Sequence, residues 1–509
     1  MNVIFISIDS LSRDFLKTYG QPIEIDVATP NFDRFAQRAL VFDTHYVGSL
    51  PCMPARREFF SGIQEFVWRP WGPMEPFDTP LARAARQAGA VTQFVTDHYH
   101  YFQHGSHGYY EDYNGFEFIR GHESDAWQTT PREPDPNLLK QLRAEDADQV
   151  AGYMTRAAYA RNVASFDIHD ETDFFPAKVF STAARWLEAN RDAAKWLLVV
   201  DSFDVHEPFH CPEPYASMYT NENPRDPELV IWPVYGRTDA GRSKLSPRQI
   251  AFARSQFAGK ITMVDRWFGD LLTTLDRLDL WQETMVVVTT DHGHYLGEHG
   301  WIGKPNAPFY NVLAHTPLMI WHPDNPRPEE RTSALTSAVD LYATMLEALA
   351  AKVPSQVHSR SLMPLLRGER DDHREWAIYG YWGSSMNVTD GRQTYFQPCL
   401  AEIPADAYST MMLMMEPWDW FQPVVPQLNA AAGRFLPYTE TPVWRYSAPS
   451  MVRHERPMLF NVKDDPGQLH DLASAQKQHV DTMRDLLVHA LREMKAPAEQ
   501  FRRLGLDKA

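Results

Sequence analysis

Short apolar runs that end near acidic residues recur along the chain. Four of them cover residues 3–8, 90–95, 196–200 and 285–290, and they are followed by Asp9, Asp97, Asp201 and Asp291. Continuous apolar runs of this length predict strands that are buried on both faces, as in a parallel sheet. Because ligands of such sheets bind beyond the carboxyl ends of the strands, the acidic residues lie where a site is expected.

Helical patterns separate these runs. Residues 257–275 place apolar side chains at three- and four-residue spacing on one face, and residues 180–190 form a second candidate helix. Strands that alternate with helices predict an α/β fold in which helices flank a large, mostly parallel sheet. We assign this domain to residues 1–370.

The pattern changes in the last quarter of the chain. Residues 377–382 and 393–396 alternate as short strands do, and residues 476–494 have the spacing of a closing helix. We therefore predict a smaller C-terminal α+β domain over residues 371–509.

Two stretches, residues 120–165 and residues 403–450, lack a regular pattern. Long loops of this kind in a compact domain often act as lids or binding loops. The second stretch is rich in Pro, Met and aromatic residues, which suits surface packing or an oligomer contact equally well. A homo-oligomer therefore remains an open alternative.

Charge limits the classes of partner. The 509 residues include 49 basic and 66 acidic residues, which gives a net charge of −17. We therefore expect no nucleic-acid partner and no anionic membrane partner, because such proteins carry a basic patch or stripe. An anionic substrate would need positive charge that is concentrated locally at its site.

Compartment and membrane topology follow from other features. The chain has no run of 18 or more apolar residues, so no membrane span is predicted. Its first residues lack a basic flank and a small-residue cleavage site, and its three cysteines form no disulfide framework. We therefore expect a cytoplasmic protein.

One short element carries candidate chemistry. Cys52, Pro54 and Arg56 form a Cys-x-Pro-x-Arg pattern. With three cysteines, 38 prolines and 49 basic residues, the chance of a random match is about 2%. Taken alone, the pattern leaves two interpretations open: a small buried hydrophobic residue and a reactive one.

Five segments in order resemble the sulfatase family, which is part of the alkaline phosphatase superfamily. They are residues 9–20, 29–36, 51–62, 291–304 and 459–473. The resemblance covers nearly the whole chain and implies an alkaline phosphatase-like fold.

The resemblance also implies a modified nucleophile. In that family a formylglycine-generating enzyme, an expected partner here, converts the cysteine of the element into an aldehyde. One hydroxyl of the hydrated aldehyde at Cys52 would attack sulfur or phosphorus, and the other would then expel the anion. Residue 52 would lie at a helix N-terminus, which favours negative charge. Arg56, one turn later, would hold the diol and the developing oxyanion.

A metal site is implied by the same segments. Asp9, Asp291, His292 and the modified Cys52 would hold a divalent cation, and such oxygen-rich ligands suit Ca²⁺ first, with Mn²⁺ or Mg²⁺ as alternatives. Many members of the family carry an acidic residue where Ser10 stands and asparagine where His292 stands. The histidine nitrogen shifts the preference toward Mn²⁺. An Asp-His pair also occurs in phosphonate monoester hydrolases of the superfamily.

A histidine-rich segment follows the second apolar run. The family usually has Lys-x-His there, so His98 would replace the lysine and His100 would match the histidine. Both would donate hydrogen bonds to substrate oxygens. Surface or packing roles for these histidines remain open. If the strand continues, alternation would instead turn Tyr99 and Tyr101 toward the pocket.

Two further residues complete the implied machinery. His206 would protonate the leaving oxygen, since histidine suits general-acid work near neutral pH. Lys304 would neutralise the ester oxygens and meet the leaving group; its alternative is a surface lysine.

Three functional hypotheses follow. The first is a metal-dependent, formylglycine-dependent sulfatase that hydrolyses a small-molecule or saccharide sulfate monoester. The second keeps the machinery for phosphonate monoesters or phosphodiesters. The third is a non-catalytic anion-binding protein in which Cys52 stays a thiol.

Overall fold

A computed structural model describes residues 1–20, 22–103, 105–144, 156–304, 307–411 and 430–507. The strands are β1 (Asn2–Ile8), β2 (Leu40–Phe42), β3 (His45–Tyr46), β4 (Ser49–Leu50), β5 (Val91–Thr96), β6 (Gly115–Phe118), β7 (Trp196–Ser202), β8 (Gly236–Arg237), β9 (Thr284–Thr289), β10 (Tyr295–Leu296), β11 (Trp301–Gly303), β12 (Leu318–Trp321), β13 (Arg331–Thr332), β14 (Thr336–Ser337), β15 (Ala377–Tyr381), β16 (Met386–Thr389), β17 (Gln393–Gln397), β18 (Ala405–Ser409), β19 (Ala431–Gly433), β20 (Val443–Ala448) and β21 (Met458–Asn461). The helices are α1 (Pro30–Ala36), α2 (Cys52–Ser61), α3 (Leu81–Gln87), α4 (Pro136–Gln141), α5 (Ala157–Ser165), α6 (Phe175–Asn190), α7 (Tyr215–Met218), α8 (Pro247–Arg277), α9 (Asn311–Ala314), α10 (Asp340–Ala348), α11 (Met363–Leu366), α12 (Lys477–Glu493) and α13 (Ala498–Arg503).

A large, mostly parallel sheet forms the centre of the molecule. Its strand order is β13-β2-β12-β9-β1-β7-β5-β6. Strands β9, β1, β7, β5 and β6 run parallel, and β12 runs antiparallel to β9 and β2. The four apolar runs became β1, β5, β7 and β9, so the predicted α/β fold is confirmed.

Both faces of the sheet are covered, which explains the unbroken apolar runs. In β1, Ile4 and Ile6 pack into one hydrophobic cluster while Val3 and Phe5 pack into the cluster on the opposite face. This is the two-residue alternation of a strand. The long helix α8 covers the first face, and α2, α3 and α10 cover the second.

The C-terminal residues build a second, smaller sheet with the order β21-β17-β16-β15-β4. Its strand β4 comes from the N-terminal part, where Ser49 and Leu50 pair with Gly380 and Tyr381 of β15. The closing helix α12 packs on this sheet. The boundary at residue 370 remains a prediction, since one sheet uses strands from both sides of it.

The two stretches predicted to be irregular are only partly so. Residues 120–165 contain α4 and α5, and residues 403–450 contain β18, β19 and β20. Helix α4 has Pro136 at its first position, and the side chain of its N-cap residue Asp135 accepts a hydrogen bond from the Asn137 N–H. Both features are typical of helix N-termini. The parts at 145–155 and 412–429 lie outside the described residues.

Among the residues that the structure describes, no helix is long and apolar enough to cross a membrane.

Candidate active site

Three carboxylates converge at the carboxyl edge of the large sheet. Asp9 follows β1, Asp201 lies near the end of β7, and Asp291 follows β9. The parallel register pairs Ser7 with both Asp201 and Thr289, so the ends of the three neighbouring strands are level. The predicted convergence of acidic strand ends is therefore present in the structure.

Cys52 is the first residue of α2 and is buried. Its Sγ lies 3.3 Å from His292 Nε2 and 3.7 Å from Lys304 Nζ. Burial, and then the negative charge of Asp9, raise the pKa of the Cys52 thiol well above its ordinary value. At neutral pH the unmodified residue is therefore a neutral thiol and a poor nucleophile.

The four predicted metal ligands form one buried group. One ligand atom from each of Asp9, Cys52, Asp291 and His292 lies within 4.8 Å of the others, and the described residues contain this one such group. Burial and the nearby Asp291 raise the pKa of Asp9 well above its ordinary value. Burial also acts to raise the pKa of Asp291, but the positive charges of Arg56 and Lys304 oppose it, and that pKa is low. Two adjacent buried carboxylates of this kind fit a divalent cation.

His292 is held in the form of a metal ligand. Its Nδ1 lies 2.9 Å from the Gly293 carbonyl oxygen, which can only accept, so Nδ1 donates and Nε2 has the lone pair. Nε2 lies 3.2 Å from Asp291 Oδ2, beside Cys52. Position 293 needs glycine because a Cβ there would overlap the carbonyl oxygen of Val312. The residues present therefore fit a cation with mixed oxygen and nitrogen ligands.

Arg56 is fully buried, and its guanidinium lies among three carboxylates. Its Nε and Nη2 lie 2.9 Å from the two carboxylate oxygens of Asp201. Its Nη1 donates to Asp291 Oδ2 at 2.6 Å and to the Cys52 carbonyl oxygen at 3.3 Å, and Nη2 lies 3.0 Å from Asp9 Oδ2. Arg56 therefore ties α2 to the ends of β1, β7 and β9.

Ser10 connects the metal-ligand group to Lys304. Its backbone is left-handed, with φ of 61°, its N–H donates to Asp291 Oδ1 at 3.0 Å, and its hydroxyl donates to Asp9 Oδ1 at 2.7 Å. Lys304 Nζ lies 3.4 Å from the Ser10 hydroxyl. Burial acts to lower the pKa of Lys304, but the neighbouring acidic residues Asp9, Glu207 and Asp291 raise it above the ordinary value. Lys304 is therefore a permanent cation beside Cys52.

His98 points toward the metal-ligand group. It is fully buried, neither ring nitrogen has a hydrogen-bond partner among the described residues, and Nε2 lies 4.0 Å from Asp9 Oδ2. Burial, followed by the charge of Arg56, lowers the pKa of His98 well below its ordinary value. A neutral imidazole with free nitrogens can serve a bound substrate.

His100 lies one ring further out, 4.9 Å from His98 between centroids. Its Nδ1 lies 2.6 Å from Gln103 Oε1, and its Nε2 lies 3.3 Å from Glu123 Oε2. The strand has ended at this point, because Tyr99–Phe102 forms a 3₁₀ turn. The alternation argument for Tyr99 and Tyr101 therefore fails. Tyr101 instead donates to Asp201 Oδ2 at 2.7 Å.

His206 lies on the loop after β7. Its Nδ1 lies 2.9 Å from the Glu207 carbonyl oxygen, which fixes Nδ1 as the donor and leaves Nε2 as the bare nitrogen. Burial and the charge of Lys304 lower the pKa of His206 well below its ordinary value. The Lys260 ammonium donates to the His206 carbonyl oxygen at 2.7 Å and fixes the loop.

The sequence did not predict two contacts of the site, the ion pair between Arg56 and Asp201 and the hydrogen bond from Tyr101 to Asp201. Asp201 was recognisable as an acidic strand end, but its pairing with Arg56 depends on the neighbourhood of β1 and β7. For Tyr101 the sequence suggests only a pocket-facing position.

The large sheet thus presents two carboxylates, a histidine and a cysteine in one buried group at its carboxyl edge. Residues 1–351 match the family model described as Sulfatase, so the chain belongs to the sulfatase family. This confirms the predicted family and the enzyme class, a sulfuric ester hydrolase.

Similar proteins agree with this assignment. The multifunctional alkaline phosphatase superfamily protein PehA of Trinickia caryophylli is 24% identical over 75% of this chain and 80% of its own. An arylsulfatase of Clostridium perfringens is 22% identical over 74% and 81%. The crystal structure of a phosphonate monoester hydrolase of Agrobacterium radiobacter covers 97% of this chain and 96% of its own, with a TM-score of 0.66 and 18% identity. That last similarity shows the fold.

Proposed function

We propose that this protein is a formylglycine-dependent, metal-dependent hydrolase of organic sulfate monoesters. One observation carries the proposal: Cys52 begins a helix inside the buried metal-ligand group and lies 3.7 Å from Lys304. The Cys-x-Pro-x-Arg element is thus placed where a modified residue 52 would meet both a cation and a lysine.

Two groups that the chain would acquire supply chemistry that its own side chains lack. Formylglycine at residue 52 would supply a hydrated aldehyde as nucleophile in place of an un-ionised thiol. A divalent cation held by Asp9, Asp291, His292 and residue 52 would supply Lewis-acid stabilisation of developing negative charge. Ca²⁺ is the first candidate, with Mn²⁺ or Mg²⁺ as alternatives, and the Nε2 ligand of His292 favours Mn²⁺.

The chain's own cations bind and orient the ester. Lys304 faces the position of the reacting sulfate, and the N-terminus of α2 adds backbone N–H groups. The two ring nitrogens of His98, which have no partner in the described part of the chain, lie near the same space, and His100 packs against His98. Arg56 positions the carboxylates of Asp9 and Asp291 through its ion pairs with them.

Proton transfer to the leaving oxygen is assigned to His206. In the resting site the imidazole is neutral, and its Nε2 is the nitrogen free to take a second proton. An anionic substrate would raise the pKa of His206 by placing negative charge beside it. The proton on Nε2 would then pass to the leaving oxygen.

Phosphonate monoesters and phosphodiesters are the second candidate substrates. The specific observation is the histidine at position 292, whose Nε2 lies beside Cys52 and Asp291 as in an Asp-His pair.

A non-catalytic anion-binding role is the third candidate and requires that Cys52 stays a thiol. The organic part of the substrate, a small molecule or a saccharide, and the cytoplasmic location remain proposals.

The test compares matched aryl esters. The protein is co-expressed with a formylglycine-generating enzyme, and hydrolysis of para-nitrophenyl sulfate and para-nitrophenyl phenylphosphonate is measured with Ca²⁺, Mn²⁺ or Mg²⁺ after chelation. We expect higher kcat/KM for the sulfate, loss of activity on metal removal, and loss in Cys52→Ala. Cys399→Ala, at a buried cysteine outside the site, is the matched control and should keep activity. Full activity in Cys52→Ala would disprove the mechanism, and a strong preference for the phosphonate would select the second candidate.

A further inference from the structure

The guanidinium of Arg56 forms ion pairs with three carboxylates, and one of them, Asp201, is not among the metal-ligand residues. Asp201 accepts from Nε and Nη2 of Arg56 at 2.9 Å each, in the two-point geometry that suits a guanidinium and a carboxylate. Tyr101 donates to the same Asp201 at 2.7 Å. Both members of the ion pair are buried, so water does little to screen their charges.

This ion pair touches the reacting site directly. The other side of the Arg56 guanidinium lies 3.0 Å from Asp9 and 2.6 Å from Asp291. Any uncompensated charge on Arg56 would therefore act on the metal ligands and on an ester bound above them. Lys304, by contrast, forms no ion pair with a carboxylate in the described part of the chain and keeps its charge available to the substrate.

We propose that Asp201 is a specificity-determining residue that makes the site prefer singly charged esters over doubly charged ones. As a buried negative charge against Arg56, Asp201 makes the net charge that faces the substrate more negative by one unit. Sulfate monoesters and phosphonate monoesters carry one negative charge, and phosphate monoesters carry two. The inference rests on the proposed hydrolase function, and it adds the residue that selects substrate charge.

The expected effect is large because the ion pair is buried. At an effective dielectric of about 20, one unit of charge several ångströms from a substrate oxygen changes a rate by about tenfold or more. Loss of Asp201 should raise the rate of hydrolysis of every anionic ester, and it should raise the rate for a dianion more than the rate for a monoanion. The ratio of the rates for dianionic and monoanionic esters therefore measures the effect of the Asp201 charge. A general loss of activity lowers both rates by the same factor and leaves this ratio unchanged.

The experiment uses three esters with one leaving group: para-nitrophenyl sulfate, para-nitrophenyl phenylphosphonate and para-nitrophenyl phosphate. The full-length, matured protein is assayed at a pH where the phosphate ester is doubly charged. Wild type is expected to prefer the phosphonate over the phosphate by more than about tenfold. Asp201→Asn should raise the phosphate-to-phosphonate ratio of kcat/KM by about tenfold or more. The sulfate-to-phosphonate ratio, between two monoanions, should change by less than about threefold.

Tyr101→Phe is the matched control, since it removes a hydrogen bond from Asp201 without changing charge, and its ratios should equal those of wild type. If Asp201→Asn does not fold, Asp201→Ser removes the same charge. Unchanged ratios in a folded variant, or a wild type that prefers the phosphate ester, would overturn the inference.

Failure of the proposed function would look different, because wild type would then hydrolyse none of the three esters. Dissociation constants for the same esters, measured by calorimetry on wild type and Asp201→Asn, would then decide the inference without turnover. Tighter relative binding of the dianion in the variant supports it, and an unchanged ratio of dissociation constants overturns it.

Discussion

A single backbone contact at His206 determines which proton the side chain can transfer. The Glu207 carbonyl oxygen accepts from Nδ1, so the second proton can only be gained and lost at Nε2. Burial lowers the pKa of His206, and the resting imidazole is neutral. General-acid catalysis at this residue therefore depends on the charge that the substrate brings.

The loss of hydrolysis rate in His206→Ala should depend on the leaving group of the ester. Phenyl sulfate, whose leaving oxygen needs a proton, is expected to lose about 100-fold or more in kcat/KM, within the usual range for general acids. Nitrophenyl sulfate, which leaves without protonation, should lose less than about tenfold. Steady-state kinetics on both esters gives the comparison, and an equal loss for both would show that His206 does not protonate the leaving oxygen.

Residue identities were predictable where chemistry restricts the choice. Asp9, Cys52, Asp291 and His292 could be proposed as ligands from the sequence, and the fold brings them into one group. The Asp201 partnership could not be predicted, because it depends on which strand lies beside β1. Strand order is a property of the whole sheet and leaves no local trace in the sequence.

Helix α2 is the element on which the site depends, and it is polar and entirely buried. Its buried residues include Arg56, Arg57 and Glu58. Arg57 pairs with Asp78, while Glu58 accepts from the N–H of Ser49 at 2.6 Å and also from the Ser49 hydroxyl. The polar side chains Arg57 and Glu58 of α2 thus have partners inside the protein, and an amphipathic pattern was not available to predict this helix.

Glu58→Gln should remove a pH dependence of stability. Burial, opposed by hydrogen bonds from Ser49, raises the pKa of Glu58 to about 8, so its protonated form is favoured in the folded state. Stability from this group is therefore complete below the unfolded pKa and is lost as pH rises through about 8. We expect Glu58→Gln to match wild type near about pH 5 and to exceed it above about pH 8, by on the order of a few kcal/mol in the free energy of unfolding.

Denaturant unfolding of both proteins across this pH range measures the difference. The exposed Glu117 provides the control, since Glu117→Gln should follow wild type at every pH. A constant difference between Glu58→Gln and wild type would show that Glu58 does not titrate with folding.

Elements with a strong apolar pattern were predicted closely, and the short helices in polar segments were not. The four apolar runs became β1, β5, β7 and β9, and the pattern at 257–275 lies within α8. The short helices α4 and α5 were missed because their segments are polar. The 3₁₀ turn after β5 was missed because a strand pattern does not show where the strand stops.

At the scale of the whole molecule, the C-terminal residues support the N-terminal site. Strand β4, which leads directly into Cys52, is an edge strand of the C-terminal sheet. Phe66, Val67 and Trp68, just after α2, pack in the same hydrophobic cluster as Ile378. The position of residue 52 therefore depends on residues more than 300 positions away in sequence.

A fragment of residues 1–370 should not fold on its own. Its loss of β15, β16, β17 and β21 would leave the strand before Cys52 unpaired and expose the apolar residues that follow α2. We expect an insoluble or unfolded product, checked by solubility and circular dichroism. Co-expression with residues 371–509 is the control and should restore folded protein. A soluble fragment with the thermal stability of the full chain would contradict this prediction.

Turnover by formylglycine at residue 52 is tested most directly by peptide mass spectrometry with an aldehyde trap. Samples matured to different extents with the formylglycine-generating enzyme are measured together with their rates on para-nitrophenyl sulfate. We predict a trapped aldehyde at residue 52, about 18 Da lighter than cysteine before trapping, with a rate proportional to its occupancy. Full turnover by protein whose Cys52 is an intact thiol would contradict the proposed mechanism.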